Sequence, residues 1–411
     1  MAYLCNDDIL SLIFIDALQN YTSSLSILRS VSRTWFDVAG RTPQLWTKLF
    51  LKRRSDFIDL EYPQFYLPKS GALPIEVYIW LPDSVDVDDI GGVTALLRNH
   101  ASRFRSLELY VRSHEELEAL ISSIGGSKPA PFLEKLVLRV REGTESSNAS
   151  EFLCLSTAFT PSPRLARISL SRCPFPKTFP PTITSLAIYQ TDAVNKIISS
   201  FESTPSLQDF TFAPSSLYYI DPEFENPDIV SLPHLLTAKV SVPGYGAYLL
   251  CAIDAPKLNR IHLDGHGKDY WPQEGGWEVD VTSALFSTTI RHLSARSRNL
   301  RQMTLDYTEF DSPLEDYTLL LSGAGFPQLE KLTLNETDID DEALLAAGNG
   351  GGSSSLKELT LRRCWDVTGR GLLGFVRGRR SDFRLYLSGC ERVRQEDIVA
   401  LSAVIKVHRF R

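Results

Sequence analysis

The sequence predicts an α/β chain. A small three-helix head is followed by a curved repeat solenoid, with parallel strands on its concave face and helices and loops on its convex face. Three observations predict it. One pattern, apolar-x-x-apolar-x-apolar, recurs from Phe104 onward. Two tryptophans, Trp35 and Trp46, and several apolar residues at helical spacing crowd into the first stretch of the chain. Composition is that of a folded protein: 411 residues, 43% hydrophobic and 23% charged.

Residues 6–50 read as three helices. Asn6 or Asp7 suits the start of the first, since a polar or negative oxygen there satisfies free backbone N–H groups. Ile9, Leu10, Ile13, Phe14 and Leu18 form its apolar stripe. Ser23 or Ser24 can cap the second, with Ile27, Leu28 and Val31 expected to face inward. The third carries Trp35 and Val38. Gly40 is expected to end it, and Thr42-Pro43 to fold Leu45 and Trp46 back. A module this small cannot cover all these side chains, and an exposed apolar patch usually marks a binding surface.

Asp8-Ile9-Leu10 with Ile13-Phe14, then Val31-Ser32-Arg33-Thr34-Trp35, then Pro43-Gln44-Leu45-Trp46, resembles the F-box motif in order, spacing and tryptophans. The form is that of fungal F-box proteins. Cys5-Asn6 stand where that motif usually has Leu-Pro, and Ser32 where it usually has Cys. The resemblance implies binding to a Skp-type adaptor, and through it recruitment into a cullin–RING ubiquitin ligase. It implies that Ile9, Leu10, Ile13, Phe14, Leu28, Val31, Trp35, Pro43 and Trp46 make up the core and adaptor face of an F-box spanning residues 1–50. It also implies a non-catalytic role, in the cytoplasm or nucleus. The other reading of the same residues is a helical cap on the repeats.

Residues 51–100 read as a bridging segment and N-terminal cap. Lys52-Arg53-Arg54 suggests the solvated end of a helix. Tyr62-Pro63 and Leu67-Pro68 are expected to break helices. Leu73 to Trp80 alternates with period two, as a strand does, and Val93 to His100 is a short helix.

From 101 to 411 the six-residue pattern starts at Phe104, Leu133, Leu165, Ile183, Leu207, Leu235, Leu258, Leu300, Leu329 and Leu356, with a partial copy at Phe383. Spacings of about 18 to 42 residues, mostly in the twenties, are those of leucine-rich repeats with irregular inserts. One such unit cannot bury its own apolar face, whereas a stack can. The last units resemble the cysteine-containing subtype that is common in F-box proteins. Cys364 and Cys390 are expected to sit buried at the strand-to-loop turn as weak donors, with Asn335 replacing Cys in the unit before.

In this architecture the residues between the leucines line the concave sheet. They include Lys135, Arg139, Arg260, His262, Gln302, Asp306, Lys331, Asn335, Glu358, Arg362 and Tyr386, a mixture of charges suited to a protein substrate, or else an ordinary solvated face. The longest insert, before a helix expected over Val281 to Leu293, carries Tyr270, Trp271 and Trp277 among glycines. It reads as a recognition loop or as a loop packed against the array.

Other chemistries find little support in the residues. A net charge of −7 argues against a general nucleic-acid partner. The basic runs Arg362-Arg363 and Arg377 to Arg380 read as solvated faces. The cysteines show no CxxC spacing, so free thiols in a reducing compartment are expected. Asp7 and Asp8 precede the first apolar run, unlike a secretory signal, and no run is long enough to cross a membrane. His262, Asp264 and His266 lack a fourth metal ligand. The glycine-serine run at 348–355 lacks the Gly-Lys-Ser/Thr of a phosphate loop and falls before a strand. No nucleophile has a partnered motif. The expectation is a substrate receptor with no cofactor or metal; the alternative is a repeat scaffold without a ligase role.

Overall fold

In the computed structural model the residues described are 6–20, 24–54, 57–58, 61–81, 87–126, 128–141, 157–173, 175–176, 178–190, 194–214, 229–242, 245–265, 279–349, 355–377, 379 and 382–410. They divide into two units, Met1–Thr182 and Ile183–Arg411.

The first unit opens with helices α1 (Asp7–Asn20), α2 (Ser24–Val31) and α3 (Arg33–Arg41) and a 3-10 turn at Pro43–Trp46. Asn6 caps α1: its side-chain oxygen accepts from the Asp8 N–H at 3.2 Å. Ser32 caps α3 by accepting from the Trp35 N–H at 3.2 Å. Gly40 does not end α3. The helix runs one residue further and stops at Thr42, whose hydroxyl bonds back to the Val38 carbonyl at 2.8 Å.

Strand β1 (Lys48–Arg54) follows at once, and β2 (Phe57–Ile58) turns back along it. The basic run at Lys52 therefore belongs to a strand. Leu49 and Leu51 are buried and alternate with Phe50 and Lys52, a period of two, and β1 pairs in parallel with β3 (Ile75–Leu81). Between them lies helix α4 (Glu61–Lys69), which contains both prolines expected to break it. Pro63 falls in the first turn, where its missing N–H has no helical partner to lose, and Pro68 in the last. Gly71, at φ +58°, then lets the chain leave the helix in the left-handed region.

Helix α5 (Val87–Arg98), β4 (Phe104–Val111), α6 (His114–Gly125), β5 (Lys135–Val140) and β6 (Arg167–Ser171) complete the unit. Its sheet runs β2-β1-β3-β4-β5-β6, parallel except for β2. Helix α6 begins with a reciprocal Ser113–Glu116 capping box.

The second unit is a parallel sheet in the order β7 (Ser185–Tyr189), β8 (Asp209–Ala213), β10 (Thr237–Ser241), β12 (Arg260–Asp264), β13 (Gln302–Asp306), β14 (Lys331–Asn335), β15 (Glu358–Arg362), β16 (Arg384–Ser388) and β17 (Lys406–Phe410). A two-stranded pair, β9 (Val230–Ser231) with β11 (Ile253–Asp254), lies apart from it. The helix expected over Val281 to Leu293 is longer, Val279–Arg296.

The repeat has a recognisable physical cycle. The first apolar residue of each motif is buried and often closes a turn onto the residue three before it, as Leu300 does on Ser297 and Leu329 on Phe326. The next two apolar positions enter the sheet in register, Leu332 beside Leu359 and Leu385, and Leu334 beside Leu361 and Leu387. Then comes a left-handed residue directly after the strand: Arg172, Gln190, Tyr307, Glu336, Arg363 and Gly389 all have positive φ. Most are not glycine, so this conformation costs about 1 kcal/mol or more at each. The gain is a further ladder bond. The N–H groups of Tyr307, Glu336 and Arg363 each donate at 2.8 Å to the last strand carbonyl of the next repeat.

The residue after that turn points into the core. It is Cys173 in the first unit and Thr308, Thr337, Cys364 and Cys390 in the second, all buried. The Cys364 thiol lies 3.7 Å from the Leu334 carbonyl and the Cys390 thiol 3.6 Å from that of Leu361, in the donor role expected for them. Asn335 does not take the cysteine place. It ends β14 beside Arg362, and Thr337 occupies the core position with its hydroxyl 3.7 Å from the Cys364 sulfur. The cysteine place lies two residues further on than Asn335, beyond the left-handed Glu336. The array is thus built of leucine-rich repeats in a mixed α/β fold.

Candidate interaction surfaces

The head divides the residues that sequence alone left together. Leu10, Phe14, Leu25, Val38, Ala39, Leu45 and Trp46 form its buried core, with Leu18, Leu28 and Trp35 packed partly against it. Trp46 is fully enclosed. Its Nε1–H donates to the Ala39 carbonyl at 2.8 Å, and its ring meets Tyr66 edge-on at 4.8 Å. Phe14 and Trp35 meet at 4.9 Å.

Ile9, Leu12 and Ile13 on α1, Ile27 and Val31 on α2, and Phe36 on α3 stand 46% to 67% exposed. Ile27 and Val31, expected to face inward, face solvent because Leu25 and Leu28 already fill the inner side of a two-turn helix. Pro43 is also exposed. Spacings of i, i+3, i+4 on α1 and i, i+4 on α2 give each helix a continuous outward apolar stripe.

The open face of the second unit has three rows. Arg260, Gln302, Lys331 and Glu358 share one, and Asp264, Asp306, Asn335 and Arg362 another. Between them His262 is followed by Thr304, Thr333, Thr360 and Tyr386. Some of its groups pair with one another. His262 Nε2 lies 2.6 Å from Asp306 Oδ2, Lys331 pairs with Glu358 at 3.3 Å, and Tyr386 stacks on His408 at 4.8 Å. The threonines escaped sequence reading, although their phase between the leucines would have placed them. Tyr270, Trp271 and Trp277, with His266, lie outside the described residues.

Among the described residues no three His, Cys, Asp or Glu side chains are grouped as metal ligands, and no helix is long and apolar enough to cross a membrane. Cys173, pushed up to about 12 by burial, is a neutral thiol at physiological pH.

Lys135 and Arg139 belong to the open face of the first unit. Lys135 holds Glu108 at 2.7 Å. Beside them lies an aromatic cluster that sequence reading did not single out: Phe50 stacked on Tyr78 at 4.7 Å, and Trp80 tilted against Tyr110 at 4.2 Å. The alternation through Tyr78 and Trp80 carried the signal, since it sets both on the face opposite the buried Val77, Ile79 and Leu81.

No family model matches the sequence, and no curated protein is significantly similar to it. Solved structures with some likeness include a Bacteroides fragilis protein (15% identity, TM-score 0.38, covering 74% of this chain and 73% of that one). An internalin from Listeria monocytogenes is 12% identical, with a TM-score of 0.35 over 79% of this chain and 96% of its own. The complex of Rad7 and Elc1 from yeast gives 11% identity and a TM-score of 0.34 over 98% and 92%. None of the three bears on what this chain binds.

Proposed function

We propose that the chain is the substrate-recognition subunit of a Skp–cullin–F-box ubiquitin ligase, its head docking on a Skp-type adaptor and its repeats holding a protein substrate. The observation that carries this reading is the outward apolar stripe on the head. Ile9, Leu12, Ile13, Ile27 and Val31 are exposed although the core beneath them is already filled by Leu10, Phe14 and Trp46. Exposed apolar surface on so small a module is a liability unless a partner covers it. The F-box-like order of Ile9 to Phe14, Val31 to Trp35 and Pro43 to Trp46 adds to it. The chain itself performs no chemistry in this reading. It acts by raising the effective concentration of substrate near the ubiquitin-transfer machinery.

The test is co-purification of the intact chain with a recombinant Skp-type adaptor. Binding at micromolar concentration or tighter is expected. Ile13→Asp with Val31→Asp abolishes it while leaving the far-ultraviolet spectrum and thermal midpoint nearly unchanged, because both residues are exposed. An intact chain that binds no adaptor at that concentration returns the head to the role of a cap on a repeat scaffold.

A further inference from the structure

The first unit's open face carries paired aromatic rings between two cations. Across β1, β3, β4 and β5 the row Lys52, Trp80, Tyr110, Arg139 is in register, and beside it runs Phe50, Tyr78, Glu108, Val137. Phe50 is 47% and Trp80 54% exposed. These side chains line one open cavity of about 440 Å³. Its acids are engaged: Glu108 by Lys135 at 2.7 Å, and the neighbouring Glu76 by the Tyr78 hydroxyl at 3.1 Å. The cations at the two ends of the Trp80 row are not. Among the described residues neither Lys52 nor Arg139 has an acidic partner. A chain of net charge −7 thus presents an exposed Trp80 against a half-buried Tyr110, bracketed by two positive charges that have no acidic partner among the described residues.

We infer that this face binds an extended peptide segment of a protein ligand whose aromatic side chain lies on Trp80 and Tyr110 and whose two flanking carboxylates reach Lys52 and Arg139. The spacing specifies the segment. Three strand-to-strand steps at about 4.8 Å separate Lys52 from Arg139 by about 14 Å. An extended peptide advances about 3.4 Å per residue, so the carboxylates stand about four residues apart. Side chains at i, i+2 and i+4 of an extended chain point the same way. The segment is therefore acid-x-aromatic-x-acid, running across the strands. Ring stacking supplies the anchor and the two charges supply direction and selectivity. A nucleic acid fits less well, because it carries a phosphate at every residue whereas the Trp80 row offers cations only at its two ends. The inference rests on reading the repeats as the ligand-binding part, and is independent of what the head binds.

A random dodecapeptide library displayed on phage is panned against the intact chain, and selected peptides are measured by fluorescence anisotropy. Acid-x-aromatic-x-acid segments are expected to enrich, with binding that weakens as salt rises. Trp80→Ala should weaken them at least tenfold and Trp80→Tyr should restore most of the loss. The double variant Lys52→Glu with Arg139→Glu should also lose them, and should gain peptides with lysine at the acidic positions. Thermal midpoints within a few degrees of the parent show that the variants are folded. No enrichment, enrichment blind to charge, binding that survives the double reversal, or displacement by a twelve-nucleotide oligothymidine at equal concentration overturns the inference. Adaptor co-purification on the same proteins separates the two readings: its absence from the intact chain removes the adaptor role and leaves the peptide result standing.

Discussion

The two units build their sheets in the same way and finish the open faces differently. In both, alternate residues of each strand are buried apolar groups, such as Leu107 and Leu109 in the first and Leu359 and Leu361 in the second. Between them the second unit sets Thr304, Thr333 and Thr360 side by side and pairs His262 with Asp306 and Lys331 with Glu358. The first sets exposed rings beside cations that have no acid partner among the described residues. The fold constrains one side of the strand and leaves the other free. A row of threonines is accounted for by the sheet itself. Large rings standing half in water need something outside the sheet to explain them.

If the inward positions are equivalent, removing one should cost the same in either unit. Leu361 is fully buried between Leu334 and Leu387, and Leu109 is buried between Ile79 and Leu138. Leu361→Ala and Leu109→Ala should each destabilise by about 2–5 kcal/mol, from lost transfer energy and the cavity left behind. Urea unfolding followed by circular dichroism measures this. A cost below about 1 kcal/mol in one unit and not the other would end the equivalence.

The head gives a similar effect by another route. Trp46→Ala should cost about 3–5 kcal/mol, because a whole enclosed ring is lost. Trp46→Phe keeps a ring against Tyr66 but leaves the Ala39 carbonyl without its 2.8 Å donor, a loss of about 1–3 kcal/mol. If the two variants were equally unstable, the hydrogen bond and not the packing would hold the head together.

The left-handed turns make a smaller and more local test. Gly389 sits at φ +67°, where the equivalent residues Glu336 and Arg363 already bear side chains. Gly389→Ala should therefore fold and cost about 1 kcal/mol, since a Cβ there meets the Arg363 side chain at 3.0 Å and carries the usual left-handed penalty. An Arg363→Gly exchange probes the reverse. It relieves that penalty but breaks the 2.6 Å pair with Glu336.

Much of this fold was legible because its signal is periodic. The spacing of the motif located strands β4 to β16 of the main sheets, since a buried leucine two residues from another has few alternatives. What escaped lacked a period. Helix α4 was hidden by its prolines, which sit at the two ends where a helix tolerates them. Strand β1 was hidden by Lys52 to Arg54, which look like a helix end until the leucines between are counted. The head's residues were legible as a set, but core and surface use the same apolar alphabet, and packing alone separates Leu10 from Ile9. Trp80 and Tyr110 were missed for a different reason. Trp80 precedes the first repeat and Tyr110 lies within it, and only the strand register makes them neighbours.

The smallest expected effects on stability decide most about the two faces. Thr333 lies half-buried in register between Thr304 and Thr360, where side-chain pairs across strands contribute a few tenths of a kcal/mol each. Thr333→Ala should cost about 0.5 kcal/mol. Trp80→Ala should cost only slightly more, about 1 kcal/mol, because half of the ring is already in water and its partner is one tilted tyrosine. Stability therefore hardly distinguishes the two substitutions. Ligand binding should: the acidic–aromatic peptides should bind the Thr333→Ala protein as they bind the parent, and fail on Trp80→Ala. Should Thr333→Ala weaken them as much, the loss on Trp80→Ala would not be specific to the ring, and the assignment of these peptides to the Trp80 row would fall.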